Sequence, residues 1–137
     1  MAALSEASQS KQIVYRVAEA LAEQQGQDTI ALDVRENSDF ADYLIITTAR
    51  SQTHLNGLYR RAHEELDSHG RTPRQSVKRV SESGWVLLDC DDIIVHLMLK
   101  EQREFYELER LWFDAIRVFP LQDKGNFPDQ TDTTGGD

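Results

Sequence analysis

The sequence contains a single cysteine, Cys90, among its 137 residues. One cysteine cannot form a disulfide within the chain, which fits a reducing, cytosol-like compartment. No early apolar stretch follows a basic start, and no apolar run approaches the roughly 20 residues of a membrane-spanning helix. We therefore expect a soluble, cytoplasmic protein that has neither a signal peptide nor a membrane segment.

Motifs for nucleotides and metals are also missing. The sequence has no P-loop and no G-x-G-x-x-G turn, so no motif indicates a phosphate-binding loop. The four histidines, at positions 54, 63, 69 and 96, have no accompanying cysteine and no i,i+4 pairing, which argues against a zinc site. We expect neither a cofactor nor a bound metal.

Basic residues are few. Lys and Arg total 15 against 24 Asp and Glu, a formal net charge of −9. Because a protein that binds a bare phosphate backbone needs clustered cations, this balance favours a basic protein or a small ligand as the partner. The charges are also unevenly distributed. Residues 60–79 hold six basic and three acidic side chains, whereas residues 82–114 hold three basic and nine acidic ones.

The most informative segment runs from Trp85 to Trp112. Two apolar runs, residues 86–88 and 93–99, flank an acidic corner at residues 89–92. This pattern predicts an antiparallel hairpin followed by a helix over residues 101–115. Within that helix, Arg103 and Glu107 have the i,i+4 spacing of an ion pair. Aromatic side chains among carboxylates indicate a surface that binds a basic partner more than a catalytic pocket.

The rest of the chain predicts two further helices and two further strands. A helix begins before residue 13 and ends at Gly26, and a second begins after Ser51, a good N-cap, and ends at Gly70. Strands are predicted at residues 29–34 and 43–48. The predicted fold is α/β (α+β): a single compact domain over residues 11–119, in the order αββαββα, with helices packed against a mixed sheet. Residues 1–10 are expected to be flexible, residues 71–82 to form a loop with at most one short edge strand, and the acidic tail at 120–137 to be disordered.

Several side chains in the segment from Trp85 to Trp112 can be explained by a structural role as well as by a functional one. Trp85 and Trp112 also suit a core, and His96, which lies on a strand, is more often a hydrogen-bonded packing residue than a ligand. The charged helix face around Tyr106 favours its exposure. The acidic corner is favoured as a turn over a cation site, and Cys90 as a lone exposed thiol over a nucleophile, because no oxyanion donor or orienting partner accompanies it.

Several blocks of this sequence resemble one family, the ribosomal silencing factors or Iojap family. The blocks in the informative segment are Trp85-Val86-Leu87-Leu88-Asp89, Val95-His96 and Arg103-Glu104-Phe105-Tyr106-Glu107-Leu108-Glu109-Arg110-Leu111-Trp112. A further match upstream consists of Leu32-Asp33-Val34-Arg35-Glu36 followed by Ser38, Asp42-Tyr43 and Ser51. The resemblance extends from about residue 13 to residue 115, and the last block of the segment is the most specific.

The resemblance implies a compact α/β fold distantly akin to nucleotidyltransferases. It implies binding to large-subunit ribosomal protein fourteen, on the face that meets the small subunit, so that subunit joining is blocked and translation falls under nutrient limitation. A role in large-subunit maturation is also associated with the family, and little direct nucleic-acid binding is expected. One departure from the family pattern is Lys78-Arg79, where members often carry Glu-Gly. The residues that the resemblance assigns to ribosomal-protein binding are Trp85, Asp89, Asp91, His96, Arg103, Tyr106, Glu109 and Trp112.

Two alternative functions remain open at this point. One is a homodimeric adaptor with a non-ribosomal partner, since an aromatic patch also serves self-association and family members often dimerise when free. The other is a nucleotidyltransferase-like enzyme, which would need paired carboxylates that hold two metal ions after a Gly-Ser turn. Ser38 has no glycine before it, and Asp33 and Asp42 lie on different predicted elements. We therefore expect no catalysis.

Overall fold

The computed structural model describes residues 6–39, 41–74, 84–107, 110, 112 and 114–120. Its elements are α1 (Glu6–Glu23), β1 (Gln27–Asp33), β2 (Tyr43–Ala49), α2 (Gln52–Ser68), β3 (Trp85–Asp89), β4 (Ile93–Leu99), α3 (Lys100–Tyr106) and β5 (Ile116–Phe119). Within these ranges, no helix is both long and apolar enough to cross a membrane. Residues 6–10 of the predicted flexible start form the beginning of α1, and Ser10 is buried. Residues 1–5, most of the predicted disordered tail and most of the predicted loop lie outside the described residues.

The five strands form one mixed sheet in the order β3-β4-β2-β1-β5. β2 pairs with β1 in antiparallel and with β4 in parallel orientation, and the β3–β4 hairpin is antiparallel, as predicted. Every residue of β2 is buried, because this strand lies at the centre of the sheet and both of its faces are covered. The protein is thus a single α/β domain with a mixed sheet packed by helices, which confirms the predicted fold class.

Local signals for the ends of the helices are also confirmed. Ser51 is extended (φ −160°, ψ 170°), and its hydroxyl accepts a hydrogen bond of 3.1 Å from the backbone N–H of His54, so it caps α2. Gly70 follows the end of α2 with a φ of +76°, a conformation that favours glycine. After α1, the N–H of Gly26 donates to the carbonyl of Leu21 at 2.9 Å. These contacts mark the end of α1 and both ends of α2.

The two long helices cover one face of the sheet. Their apolar residues join alternate residues of the strands in one buried cluster, which includes Val14, Leu21, Leu55, Ile45 and Val95. Full burial of such side chains stabilises the fold by roughly 1.5–3 kcal/mol each. Five residues of α2 are buried on this face, at the spacing expected for one side of a helix.

The other face of the sheet carries a second, smaller apolar cluster, whose members include Ile30, Leu44, Ile94 and Met98. No part of α1 or α2 belongs to this cluster. Instead, the partly buried side chains of Trp85, Trp112 and Ala115 pack against it. Because β4 and β5 lie on opposite sides of the β2–β1 pair, the chain that joins them crosses this second face.

The prediction for residues 101–115 is wrong in its extent. The helix ends at Tyr106, and Glu107 takes the left-handed conformation (φ 49°), with its N–H bonded to the carbonyl of Arg103. Arg110 is again helical, and the chain later forms β5, which was not predicted. Apolar residues in this stretch recur at helical spacing, but packing of Trp112 on the second sheet face and pairing of β5 with β1 prevail over that local pattern.

Candidate functional site

β3 presents three side chains in a row on the second sheet face. Side chains alternate along a strand, and Val86 and Leu88 are buried in the cluster beneath the long helices. Trp85, Leu87 and Asp89 therefore point to the opposite face. Leu87 is 47% exposed, and it is informative because it lies beside the partly buried Trp85 on an apolar sheet face. The sequence analysis did not single out Leu87, although the alternation of the strand contains the signal for it.

His96 lies on the neighbouring strand, directly opposite Leu87 in the β3–β4 ladder. The indole Nε1–H of Trp85 donates a hydrogen bond of 3.0 Å to Nδ1 of His96, and the two ring centroids lie 5.8 Å apart. Burial lowers the pKa of His96 to about 4. His96 is therefore hydrogen-bonded within the domain, and its ring is neutral at physiological pH; its assignment to partner binding stays a prediction.

Trp112 reaches the same face from the other side. It lies in a turn, so it does not complete a helix face, and it packs with Trp85 against the second apolar cluster. We call the surface formed by Trp85, Leu87, Asp89, His96 and Trp112 the open sheet face. Its centre is apolar and aromatic, and Asp89 places a carboxylate at one end.

The acidic corner between β3 and β4 is a turn, as predicted. Asp91 adopts a left-handed conformation (φ 69°), and its N–H donates to the Asp89 carboxylate at 2.9 Å. The side chain of Arg74 pairs with Asp91 and approaches Asp89, with Nε and Oδ1 3.9 Å apart. The corner is therefore less acidic than its sequence suggests, because the basic chain segment after α2 folds back onto it.

Asp92 ties this corner to the rest of the domain. Its carboxylate accepts hydrogen bonds from the Ser10 hydroxyl at 2.6 Å and from the Arg71 guanidinium at 2.5 Å. Burial disfavours the ionised form, but these two hydrogen bonds prevail and hold the pKa of Asp92 below its usual value. Asp92 thus links α1, the chain after α2 and the hairpin, and it has a structural role.

Cys90 differs from its prediction. It is buried, not exposed, and its thiol lies 3.9 Å from the carbonyl oxygen of Arg71. Burial, followed by the nearby carboxylates of Asp89 and Asp92, raises the pKa of the thiol to about 11. Since the thiolate is the reactive form, this environment opposes a nucleophilic role at neutral pH.

Arg103 packs over Thr48 on the second sheet face, but it is buried and so is not part of its exposed surface. Its side chain is buried, and Nη1 donates to the hydroxyl of Thr48 at 2.9 Å and to the carbonyl of Gln27 at 3.4 Å. The predicted ion pair with Glu107 is wrong, because Glu107 pairs instead with Arg110 at 2.8 Å. Arg103 therefore anchors α3 to the second sheet face. The side chain of Tyr106 and the whole of Glu109 lie outside the described residues, and their roles stay predictions.

One of the two carboxylates considered for catalysis, Asp33, has another role. Asp33 forms a two-pronged pair with Arg35, with distances of 3.0 and 2.7 Å, and these bonds outweigh the effect of burial and lower the pKa of Asp33. In the part of the chain that the structure describes, no group of three His, Cys, Asp or Glu side chains could hold a metal ion.

Comparison with known proteins identifies the family. The family model described as "Ribosomal silencing factor during starvation" matches residues 7–135, nearly the whole chain. This chain belongs to the ribosomal silencing factor family. The chain is similar to the ribosomal silencing factor of Bacillus subtilis, with 33% identity over 82% of this chain and 92% of the relative. It is also similar to that of Treponema pallidum, with 34% identity over 73% of this chain and 89% of the relative.

The fold has a counterpart among solved structures. A crystal structure of a protein from Chromobacterium violaceum is similar to this chain. The aligned region spans 74% of this chain and 85% of that protein. The TM-score is 0.67 and the sequence identity is 30%. The family expected from the sequence is thus confirmed by both sequence and fold.

We predict that Arg103→Met destabilises the domain by about 1–3 kcal/mol. Methionine keeps the aliphatic volume but leaves the Thr48 hydroxyl and the Gln27 carbonyl without their buried donor. Urea denaturation measures the change. The matched control is Arg110→Met, whose side chain is 79% exposed and whose replacement should leave stability close to that of the wild type. Equal losses in the two variants would show that Arg103 has no anchoring role.

The second prediction concerns acid stability. His96 takes up a proton near pH 6.5 in the unfolded chain but only near pH 4 in the folded one. Between these values the unfolded state binds more protons, so the free energy of unfolding falls as the pH drops from 6.5 to 4. Above pH 6.5 His96 makes no pH-dependent contribution. The full loss is at most about 3 kcal/mol.

The measurement is the free energy of unfolding as a function of pH for the wild type and for His96→Gln, which cannot titrate. All carboxylates are common to both proteins, so the difference between the two curves isolates His96. A difference that stays constant between pH 6.5 and pH 4 would contradict the lowered pKa.

Proposed function

We propose that this ribosomal silencing factor binds large-subunit ribosomal protein fourteen through the open sheet face, and that the bound domain blocks joining of the small and large subunits. The observation that carries the proposal is the half-exposed Leu87 between Trp85 and Asp89 on a sheet face that the long helices leave uncovered. Aromatic and aliphatic anchors of this kind supply most of the binding energy of protein interfaces.

The chemistry of the surface suits a basic ribosomal protein. Its centre is apolar, so contact removes Leu87 and the two tryptophans from water at about 25 cal/mol per Å² of apolar area. The carboxylates of Asp89 and Asp91 lie at one end, where they are exposed enough to meet cationic side chains. The net charge of −9 supports long-range attraction to such a partner.

The mechanism requires occupancy and no reaction. A domain held on the joining face of the large subunit excludes the small subunit by its volume alone, and translation falls for as long as it stays bound. The chemistry of the described residues agrees with this mechanism, since Asp33 is paired with Arg35 and Cys90 is buried. Repression under nutrient limitation, within the cytoplasm, is part of this proposal.

The edge beside the acidic corner has mixed charge. Arg71 and Arg74 lie against Asp92 and Asp91, so most of the positive charge there is neutralised. Lys78 and Arg79 follow in the sequence but lie outside the described residues. We propose that this edge borders the partner and that these two residues meet ribosomal RNA, as a minor part of the contact.

Self-association through the same surface is the second candidate. Leu87, Trp85 and Trp112 would be buried equally well against a second copy of this chain, and β3 is the outermost strand of the sheet among the described residues. If a free dimer uses the open sheet face, it must dissociate before the ribosome is bound. The dimer would then compete with silencing.

The proposal predicts association with free large subunits, and not with small subunits or joined ribosomes, in gradient fractionation. Within this assay, Leu87→Ala should weaken large-subunit binding about tenfold, equivalent to about 1.4 kcal/mol. Because Leu87 is half exposed, the fold should survive the change, and circular dichroism checks this. The matched control is Ile116→Ala on β5, another exposed aliphatic residue, at the opposite edge of the sheet.

Two results would contradict this proposal. Equal amounts of the protein in all ribosomal fractions, or none in any, would remove the ribosomal function. A loss of binding in Ile116→Ala equal to that in Leu87→Ala would leave the function but move the interface away from the open sheet face.

Charge at the corner predicts a smaller, salt-dependent effect. Asp91 is 70% exposed, and asparagine tolerates its left-handed backbone, so Asp91→Asn changes charge with little structural cost. We expect less than about a threefold loss of large-subunit affinity at low salt, shrinking as salt screens the corner. Titrations at two ionic strengths measure it. A loss that grows with salt would mean that Asp91 acts through structure and not through charge.

A further inference from the structure

The contact between Trp85 and His96 fixes the position of a proton. An indole nitrogen carries a hydrogen and can only donate, so the atom that meets it must accept. That atom is Nδ1 of His96, at 3.0 Å. A neutral imidazole has one donor and one acceptor nitrogen, and therefore the proton of His96 resides on Nε2.

Protonation of the ring would break this arrangement. A charged imidazole carries a hydrogen on Nδ1 as well, and this hydrogen would face the hydrogen of the indole. The burial that lowers the pKa of His96 to about 4 acts in the same direction. The ring is therefore held as a neutral donor at the pH of the cell.

The Nε2–H group has no protein acceptor in the described part of the chain. The hydrogen bond from Trp85 is the one recorded for His96 there. The strand residues directly opposite are Leu87 on β3 and Ile46 on β2, whose side chains contain no oxygen or nitrogen. A partner that covers the face must therefore supply an acceptor for this donor.

We propose that Trp85 and His96 together form a specificity device, in which the indole locks the Nε2–H tautomer and the partner must place a neutral oxygen, a main-chain carbonyl or a hydroxyl, against it. This rests on the proposed use of the open sheet face. A surface that brings a lysine or arginine to this point leaves the donor unsatisfied and is rejected. Cations of the partner are directed to Asp89 and Asp91 instead.

The energetics favour such a role over simple packing. A buried donor left without an acceptor costs about 1–3 kcal/mol, which corresponds to roughly five- to hundredfold in affinity. The surrounding apolar residues gain from contact with almost any apolar surface, so they supply affinity with little selectivity. One fixed donor among them discriminates between partners of similar shape.

The tautomer is tested on the free protein by nitrogen-15 NMR of the histidine rings. We expect a protonated Nε2 and an unprotonated Nδ1 for His96 in the wild type. In Trp85→Phe the ring of residue 85 is kept but its donor is lost, and the Nδ1–H tautomer should become populated. Wild-type protein with the proton on Nδ1, or a variant with an unchanged tautomer, would overturn the proposal.

The second arm measures binding to purified large subunits. In His96→Gln the side-chain amide can reach the position of ring Nε2, whereas in His96→Asn it reaches only that of Nδ1. We expect the glutamine variant to bind within about threefold of wild type, and the asparagine variant to lose about tenfold or more. Circular dichroism and thermal unfolding must show that both variants are folded.

The outcomes separate this inference from the function on which it rests. If wild-type protein does not bind large subunits, the proposed function fails, while the NMR result still decides the tautomer. If wild type binds and the glutamine and asparagine variants lose affinity equally, or neither loses any, the donor role is wrong and the function stands.

Discussion

The structure depends on the fact that the two faces of its one sheet are covered to different extents. β2 is buried along its whole length, so the sheet needs cover on both sides, yet α1 and α2 pack on only one of them. The second face is covered in part by Trp85 and Trp112 and by the chain that crosses from β4 to β5. What this chain leaves uncovered is the surface that a partner can fill.

Polar contacts hold the rims of that surface in place. Arg103 anchors α3 through Thr48 at one side, and Asp92 ties the hairpin turn to Ser10 and Arg71 at the other. Both groups are at least partly shielded, so breaking them leaves unsatisfied polar atoms and costs more than an exposed ion pair. The hairpin therefore presents Leu87 and His96 from a rigid frame, which reduces the entropy lost on binding.

Sequence alone predicted those features whose causes are local. The Ser51 cap, the buried β2 strand and the hairpin all follow from side-chain periodicity and turn chemistry within a few residues. It failed where long-range packing decides: the helix after β4 stops at Tyr106, and β5 forms only because β1 offers an edge. Arg103 and Cys90 were misplaced for the same reason, since no spacing in the chain shows that a distant strand or loop buries them. At the site, Trp85 and His96 were predicted from the sequence. Leu87 was not, because it lies in a continuous apolar run that does not show which of its residues is exposed.

The central claim is that the open sheet face, and not the helical side, meets the large subunit. Hydrogen exchange of the backbone, compared between the free protein and its complex with purified large subunits, tests this most directly. Among the described residues β3 is the outermost strand of the sheet, so a partner that covers it should slow the exchange of its amides. The account predicts slowed exchange in β3 and around Trp112, with α1 and α2 unchanged. Protection confined to α1 and α2 would contradict it.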